Sequence, residues 1–362
     1  LTAHRKYGLT EQPTSHPSAN NDDLLWQQLK TLPAFRALLR AVEARFYQQL
    51  DLPEPVLDVG CGDGHFAQMA FDHRLQVGVD PWWGPLNKAA AGSVYELPLQ
   101  AMGDNMPFPD HLFASAFSNS VLEHIPDIQP VLNEIGRVLK PGAPFVITVP
   151  SHYFSEYLGG AQFLERISLQ GIADRYRALF NRISRHAHTD PPEIWCARLG
   201  QAGFVIERWQ YYFSREALQT LEVGHVQGVP SAIMHALTGH WILGPYKSNL
   251  KWTERWVRPH FEEAFPEKGA YLFFLARKVS DSPRSTALPA PRPFSLADLA
   301  ADSVEGQTDE TLPAAALLET ATLHDESDSG DAPADAAPVI RTAGACTSPE
   351  QASQSLDSQQ KK

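Results

Sequence analysis

The segment Val56-Leu57-Asp58-Val59-Gly60-Cys61-Gly62-Asp63-Gly64-His65-Phe66 constrains this chain more than any other. An apolar run of strand length enters a turn with glycine at every second position, and a helical pattern follows. Glycine is needed where backbone turns with positive φ, or where a ligand approaches with no Cβ in the way. A glycine-rich strand-to-helix turn is also where open α/β sheets hold their ligands.

Two ligand classes compete for such a turn. The dinucleotide fingerprint G-x-G-x-x-G delivers pyrophosphate to a helix N-terminus. Counted from Gly60, however, the sixth position is His65, and the third glycine arrives one residue early at Gly64. Asp58 is an awkward neighbour for pyrophosphate but suits a cation. S-adenosylmethionine, with ammonium and sulfonium charges, fits better than a dinucleotide; a glycine turn that binds nothing is the bland alternative. Asp80, about twenty residues on at the end of a second apolar run, can accept hydrogen bonds from ribose hydroxyls. Pro81, Trp82 and Trp83 follow; one indole can pack on the nucleoside while the other fills core.

Further apolar runs at 75–79, 112–117 and 145–149 have the length and continuity of buried parallel strands. Helical segments at 66–71 and 128–139 separate them, the latter with Ile128, Val131, Leu132, Ile135, Val138 and Leu139 on one face. Residues 204–212 and 270–278 read as further strands, with a helix over 195–201 before the first. Strands alternating with helices predict a doubly wound α/β sheet. Residues 22–50 carry apolar positions at helical spacing, broken at Pro33, which separates two helices or starts the second.

The net charge of −12 is concentrated at one end: from Asp281 onward there are fourteen acidic and five basic residues. Global charge therefore says little about a substrate. The tail 281–362 is rich in Pro, Ala, Ser and acidic residues and is expected to be disordered, as is 1–21. The run LPAAALL at 312–318 has the makings of a short helix. Cys61, Cys196 and Cys346 lie far apart, which excludes a disulfide framework or a Cys-rich zinc site. Residues 1–20 lack the apolar stretch of a secretory signal, and no apolar run is long enough to span a membrane. The expected setting is cytoplasmic, with peripheral membrane contact kept open.

Four stretches, VLDVGCGDGHF, VGVDPW, GDNMPFPDHLFASAFSNSVLEHIPD and VLNEIGRVLKPGAPFVITVP, together resemble class I S-adenosylmethionine-dependent methyltransferases with a methyltransferase-11-like domain. The resemblance is close over 52–149 and looser out to 278. It implies a Rossmann-like fold: a mostly parallel seven-stranded sheet, helices on both faces and the last strand antiparallel. It further implies that Asp58, Gly60 and Gly62 line the methionine and ribose part of the cofactor while Gly64 shapes the helix start. Asp80 would bind the ribose hydroxyls, flanked by Pro81 and Trp82. Asp104 would accept from the adenine amino group, with the backbone of Asn105 or Met106 meeting a ring nitrogen. Ser118 would help hold the methionine moiety through its carbonyl, and Asn119 would face the methyl group or substrate. Ala143 departs from the family's PGG pattern, and no loss of cofactor binding is expected from it.

Methyl transfer asks mainly for an acceptor atom held in line, and a base only where that acceptor carries a proton. The candidates are His124, His152, His186 and His188, each with a plain structural role as the alternative. His186 and His188 show no clear third partner for a metal, so none is assigned. Two insertions, 151–190 and 214–265, are expected to form helical lids over the strand ends. The first holds Tyr153, Phe154, Tyr157 and Phe163, then Arg175, Arg177, Arg182 and Arg185. This mixture fits a small-molecule, glycan-like or lipid-like acceptor, a membrane surface, or simply a solvated face. The apolar stretch 233–245 with Trp241 suits membrane contact or burial under the lid. Nothing resembles a nucleic-acid reader. The rival functions are a degenerate, non-catalytic ligand- or partner-binding fold and a nicotinamide oxidoreductase.

Overall fold

The computed structural model describes residues 23–279. The expectations for 1–21, for the tail 281–362 and for the run 312–318 lie outside the described residues.

Two helices come first, α1 (Leu24–Leu29) and α2 (Ala34–Tyr47), with Pro33 as the residue that leads into α2. An alternating series follows: β1 (Val56–Val59), α3 (His65–Ala70), β2 (Leu75–Asp80), α4 (Trp83–Ala91), β3 (Tyr95–Gln100), β4 (Ser115–Asn119), α5 (Ile128–Val138) and β5 (Pro144–Pro150). A 3-10 turn over Leu122–His124 follows β4. The first insertion folds into α6 (Tyr153–Glu156), α7 (Gly159–Arg166) and α8 (Gln170–Ser184), before α9 (Pro192–Gln201) and β6 (Phe204–Tyr212). The second forms α10 (Arg215–Thr238) and α11 (Lys247–Glu262), before β7 (Tyr271–Lys278).

The strands make one sheet in the order β3-β2-β1-β4-β5-β7-β6. The pairings from β3 through to β5 are parallel, and β7 lies antiparallel between β5 and β6. This is the mostly parallel, seven-stranded Rossmann-like sheet that was implied. The chain runs outward from β1 to β3 and then returns to β4, so the order reverses between β1 and β4. Such a switch point opens a crevice at the C-terminal ends of the two strands.

Alternate residues of each strand serve opposite faces. Val56, Phe117, Val146 and Phe273 pack into one core with Leu38, Val42 and Phe46 of α2 and Leu221 of α10. Leu57, Val59, Ala116, Phe145 and Phe274 pack into the other with Ile128, Leu132 and Ile135 of α5 and Trp195 of α9. Each such side chain contributes roughly 1.5–3 kcal/mol, so α2 is an integral cover of the sheet. Asp58 shares the parity of Val56, and its carboxylate lies on the α2 side.

Three elements differ from the sequence reading, which places no helix at 83–91 and no strand at 95–100 and starts a strand at 112. β3 forms despite Pro98 because it is the sheet edge, where a proline is tolerated. β4 begins only at Ser115: Leu112 and Phe113 are buried, but His111 has φ 60° and Phe113 makes an isolated bridge to Leu139. Burial without a ladder imitates a strand in the sequence.

Candidate functional site

The turn after β1 is built from backbone. Gly60, Gly62 and Gly64 all have positive φ (81°, 54° and 73°), a region that L side chains enter at a cost. A Cβ on Gly60 would lie 2.3 Å from Cγ1 of Val121. A Cβ on Gly62 would meet nothing within 4 Å, so the turn is open there. Gly60 and Cys61 both donate N–H bonds to the Val79 carbonyl, at 2.8 and 3.0 Å. Gly62 donates to Oδ2 of Asp80 at 2.9 Å, and Trp82 donates its backbone N–H to Oδ1 at 2.8 Å. The Asp80 carboxylate thus ties the end of β2 to the glycine turn.

Asp58 and Asp80 are both buried. Burial pushes the Asp58 carboxyl up to about 7, opposed by the hydrogen bond that Tyr95 Oη donates to its Oδ2 at 2.6 Å. Burial also raises Asp80, against the pull of its two N–H donors. Among the described residues neither carboxylate has a salt-bridge partner. A cation placed at the turn would favour their ionised forms.

On the expected adenine side, Asp104 and Asn105 are exposed and Met106 is buried. The Asn105 N–H donates to the Met102 carbonyl at 3.2 Å, and the Met106 N–H donates to Oε1 of Glu134 at 2.8 Å. Both amides expected to meet a ring nitrogen are therefore already engaged, Asn105 within its own turn and Met106 by Glu134 of α5, where Arg137 also holds the loop. The Asp104 side chain remains open. Trp82 and Trp83 are half exposed (50% and 59%), so neither indole fills core.

Beyond β4 the chain makes a strained turn. Ser118 Oγ donates to the Val59 carbonyl at 2.9 Å, pinning β4 to β1. Ser120 has φ 52°, an uncommon conformation for a non-glycine residue, and a buried network holds it. Glu43 of α2 is fully buried and accepts from Arg40 (2.8 Å), Asn119 Nδ2 (2.7 Å), Ser120 Oγ (2.6 Å) and Tyr212 Oη (3.0 Å). Asn119 Oδ1 in turn accepts from Thr148 at 2.8 Å. The Asn119 amide is thereby committed on both sides. A buried amide takes the strongest acceptor within reach, which here is Glu43.

Next to this turn is a cavity of about 180 Å³, lined by Arg36 and Arg40 of α2, Ser120, Glu123, His124 and His186, with His225 of α10 and Tyr271 of β7 among the remainder. Ser120 and Glu123 wall the cavity while Val121 between them packs against Gly60. One short segment therefore adjoins both the glycine turn and the cavity.

Of the four histidine candidates, the structure brings His124 and His186 together, stacked with ring centroids 5.7 Å apart. His124 Nδ1 lies 3.0 Å from the Arg185 carbonyl. A carbonyl only accepts, so Nδ1 carries the proton and Nε2 keeps its lone pair. Burial lowers the pKa of His124 and takes that of His186 down to about 3; both rings are neutral at pH 7. Glu123 is buried, its Oε2 has no hydrogen-bond partner among the described residues, and burial pushes its carboxyl up to about 8. Its Oε1 lies 3.8 Å from Nε2 of His124. His152 and His188 lie elsewhere. His152 packs against Tyr153, ring centroids 4.0 Å apart and tilted by 39°. His188 Nε2 contacts the Ile125 carbonyl at 3.0 Å, and its Nδ1 lies 3.3 Å from Asp190. These contacts make His188 a clamp between the 3-10 turn and the start of α9.

Residues 57–147 match the model of a methyltransferase domain. This segment carries the methyltransferase-domain pattern. It spans β1 to β5, the part of the chain that contains the glycine turn, Asp80 and the wall shared with the cavity. An uncharacterized methyltransferase of Mycobacterium sp. (strain KMS) is 35% identical over 122 residues, which are 31% of this chain and 48% of that protein. A demethylmenaquinone methyltransferase of Symbiobacterium thermophilum is 34% identical over 114 residues, 28% of this chain and 45% of that protein. The chain thus spans about half the length of these curated relatives. A solved S-adenosylmethionine-dependent methyltransferase from Mesorhizobium loti is 16% identical with a TM-score of 0.38, covering 66% of this chain and 98% of that one.

The methyltransferase domain supplies the residues that the sequence made legible. The cavity and the buried Glu43 behind it add ones it did not. Glu43, Ser120, Glu123, Arg36 and His225 lie on α2, around the 3-10 turn and on α10, and read in the sequence as ordinary polar positions. The nearest signal was the pairing of Glu123 with His124.

Proposed function

We propose that this chain transfers a methyl group from S-adenosylmethionine to a small-molecule or lipid-like acceptor seated in the cavity beside the 3-10 turn. The observation that carries this reading is the segment Ser120–Glu123, which adjoins both the open glycine turn and the cavity. The turn suits the cofactor in two respects. Gly62 leaves space where a side chain would intrude, and two buried carboxylates, Asp58 and Asp80, form no salt bridge among the described residues, Arg40 acting on Asp58 only from beyond ion-pair distance. Bound there, the cofactor supplies an already activated methyl sulfonium.

The protein's own part is to orient and to move a proton. Gly60, Gly62 and Asp80 fix one side; Ser120, held by Glu43, fixes the position of the wall between the two ligands. For an acceptor that carries a proton, His124 Nε2 is the base: neutral at pH 7, with its tautomer set by Arg185. Glu123, protonated below about pH 8, does not compete for that proton at neutral pH. The relative named for demethylmenaquinone supports a small-molecule acceptor.

Calorimetric titration with S-adenosylmethionine followed by a methyl-release assay over a metabolite panel tests the reading. Binding with turnover of one acceptor class is expected. Binding without turnover on any panel favours the non-catalytic rival, and binding of NAD(H) instead favours an oxidoreductase.

A further inference from the structure

We propose that the outer half of α10 and the turn into α11 seat the protein on an anionic lipid bilayer. From Val223 to Tyr246 the chain contains no Asp, Glu, Lys or Arg. A stretch this apolar is expected to be buried under neighbouring elements, yet none of residues 231–249 is buried. Leu237 is 76% exposed, Val226 75% and Tyr246 70%. Contiguous exposed apolar surface on a folded domain marks an interaction site.

The charge around this stretch points to the occupant. Lys247 and Lys251 follow it directly and are exposed, Lys247 with its Nζ 5.6 Å from the Trp26 ring centroid and Lys251 with Trp252 beside it at 74% exposure. The first insertion carries the same combination. Ile172, Leu179 and Ile183 are exposed along α8, next to exposed Arg175 and Arg182, which have no carboxylate partner among the described residues. α8 and α10 meet through Phe180 and His225, whose ring centroids are 5.1 Å apart, and through Tyr176 Oη, which donates to Glu222 at 2.5 Å. Uncharged apolar helix, boundary aromatics and flanking cations are together the requirements of an interfacial segment lying in an anionic membrane surface. A purely apolar protein partner would leave the cations unexplained. No helix among the described residues is long and apolar enough to cross a membrane, which fits contact without insertion across it. The bilayer contact does not rest on the methyl-transfer reading. α10 nevertheless lines the cavity through Leu221 and His225, so a lipid-borne acceptor would meet the cavity close to the contact.

Flotation of the full chain with vesicles tests this. Vesicles of phosphatidylcholine with phosphatidylglycerol are compared with phosphatidylcholine alone, for wild type, for Ile233→Asp with Leu237→Asp, and for Lys247→Glu with Lys251→Glu. Wild type should float with the anionic vesicles, and each double variant should lower that partition roughly tenfold or more. Added salt should weaken the wild-type contact. Circular dichroism and cofactor titration of the variants, expected to match wild type, separate loss of contact from loss of fold. Absence of wild-type binding to the anionic vesicles overturns the proposal. So does binding that both variants leave unchanged, or self-association of the chain through this face without vesicle binding.

Discussion

The glycine turn and the cavity are adjacent but are made in different ways. The turn is local: three glycines, two strand ends and one aspartate, all within residues 56–82, set its shape through backbone N–H groups. The cavity is non-local. Its Glu43 network joins residues 76, 77 and 169 positions apart, and its histidines come from the 3-10 turn, the end of the first insertion and α10. A site written in backbone conformation leaves a pattern in the sequence, and one assembled from distant side chains does not.

Substitutions separate the two. The largest effect is expected from Glu43→Ala, which leaves the half-buried Arg40 guanidinium and Asn119, Ser120 and Tyr212 without their shared acceptor. A loss of about 3–5 kcal/mol should appear in denaturant unfolding; a loss below 1 kcal/mol would mean the network is not what holds the strained turn. Next is Glu123. A carboxyl raised from its unfolded value of 4.5 to about 8 keeps its full contribution below the unfolded value and loses it as pH rises through 8. Glu123→Gln should therefore stabilise the protein increasingly between about pH 5 and 8 and level off above that, at roughly 3–5 kcal/mol. A melting-temperature difference that is flat with pH would contradict the raised carboxyl.

Gly60→Ala combines a positive φ with contact to Val121 and should cost about 2–3 kcal/mol, with cofactor affinity lost beyond the loss of stability. Asp80→Ala should leave folding nearly intact but weaken S-adenosylmethionine binding by roughly 1–3 kcal/mol, and His124→Ala should leave that affinity unchanged. If both variants weakened binding equally, the distinction between turn and cavity would fail. The smallest effect belongs to Leu237→Ser on the exposed face of α10, within about 0.5 kcal/mol of wild-type stability.

The same contrast explains what was legible beforehand. β1 and β6 have the bounds that their apolar runs suggest, and the parallel order followed from alternation with helices. β3 escaped notice because Pro98 masks an edge strand, and 112–114 imitated a strand because buried loop residues are apolar as well. Asp58, Asp80 and the three glycines sit where the motif puts them. Asn119 and the amides of Asn105 and Met106 do not present free groups: Glu43 and Glu134, from other helices, reach Asn119 and Met106, and the Met102 carbonyl takes the Asn105 N–H. His152 and His188 could not be told from His124 and His186 until the insertions were placed in space.

The central proposition is that a turn anchored by Asp80 receives a sulfonium-bearing nucleoside. Titration of the folded wild-type chain with S-adenosylmethionine, with S-adenosylhomocysteine and NAD as competitors, addresses it directly. Saturable binding displaced by the homocysteine compound and indifferent to NAD is the expected outcome. Folded protein with no affinity for either sulfur compound, or displacement by NAD, would refute it.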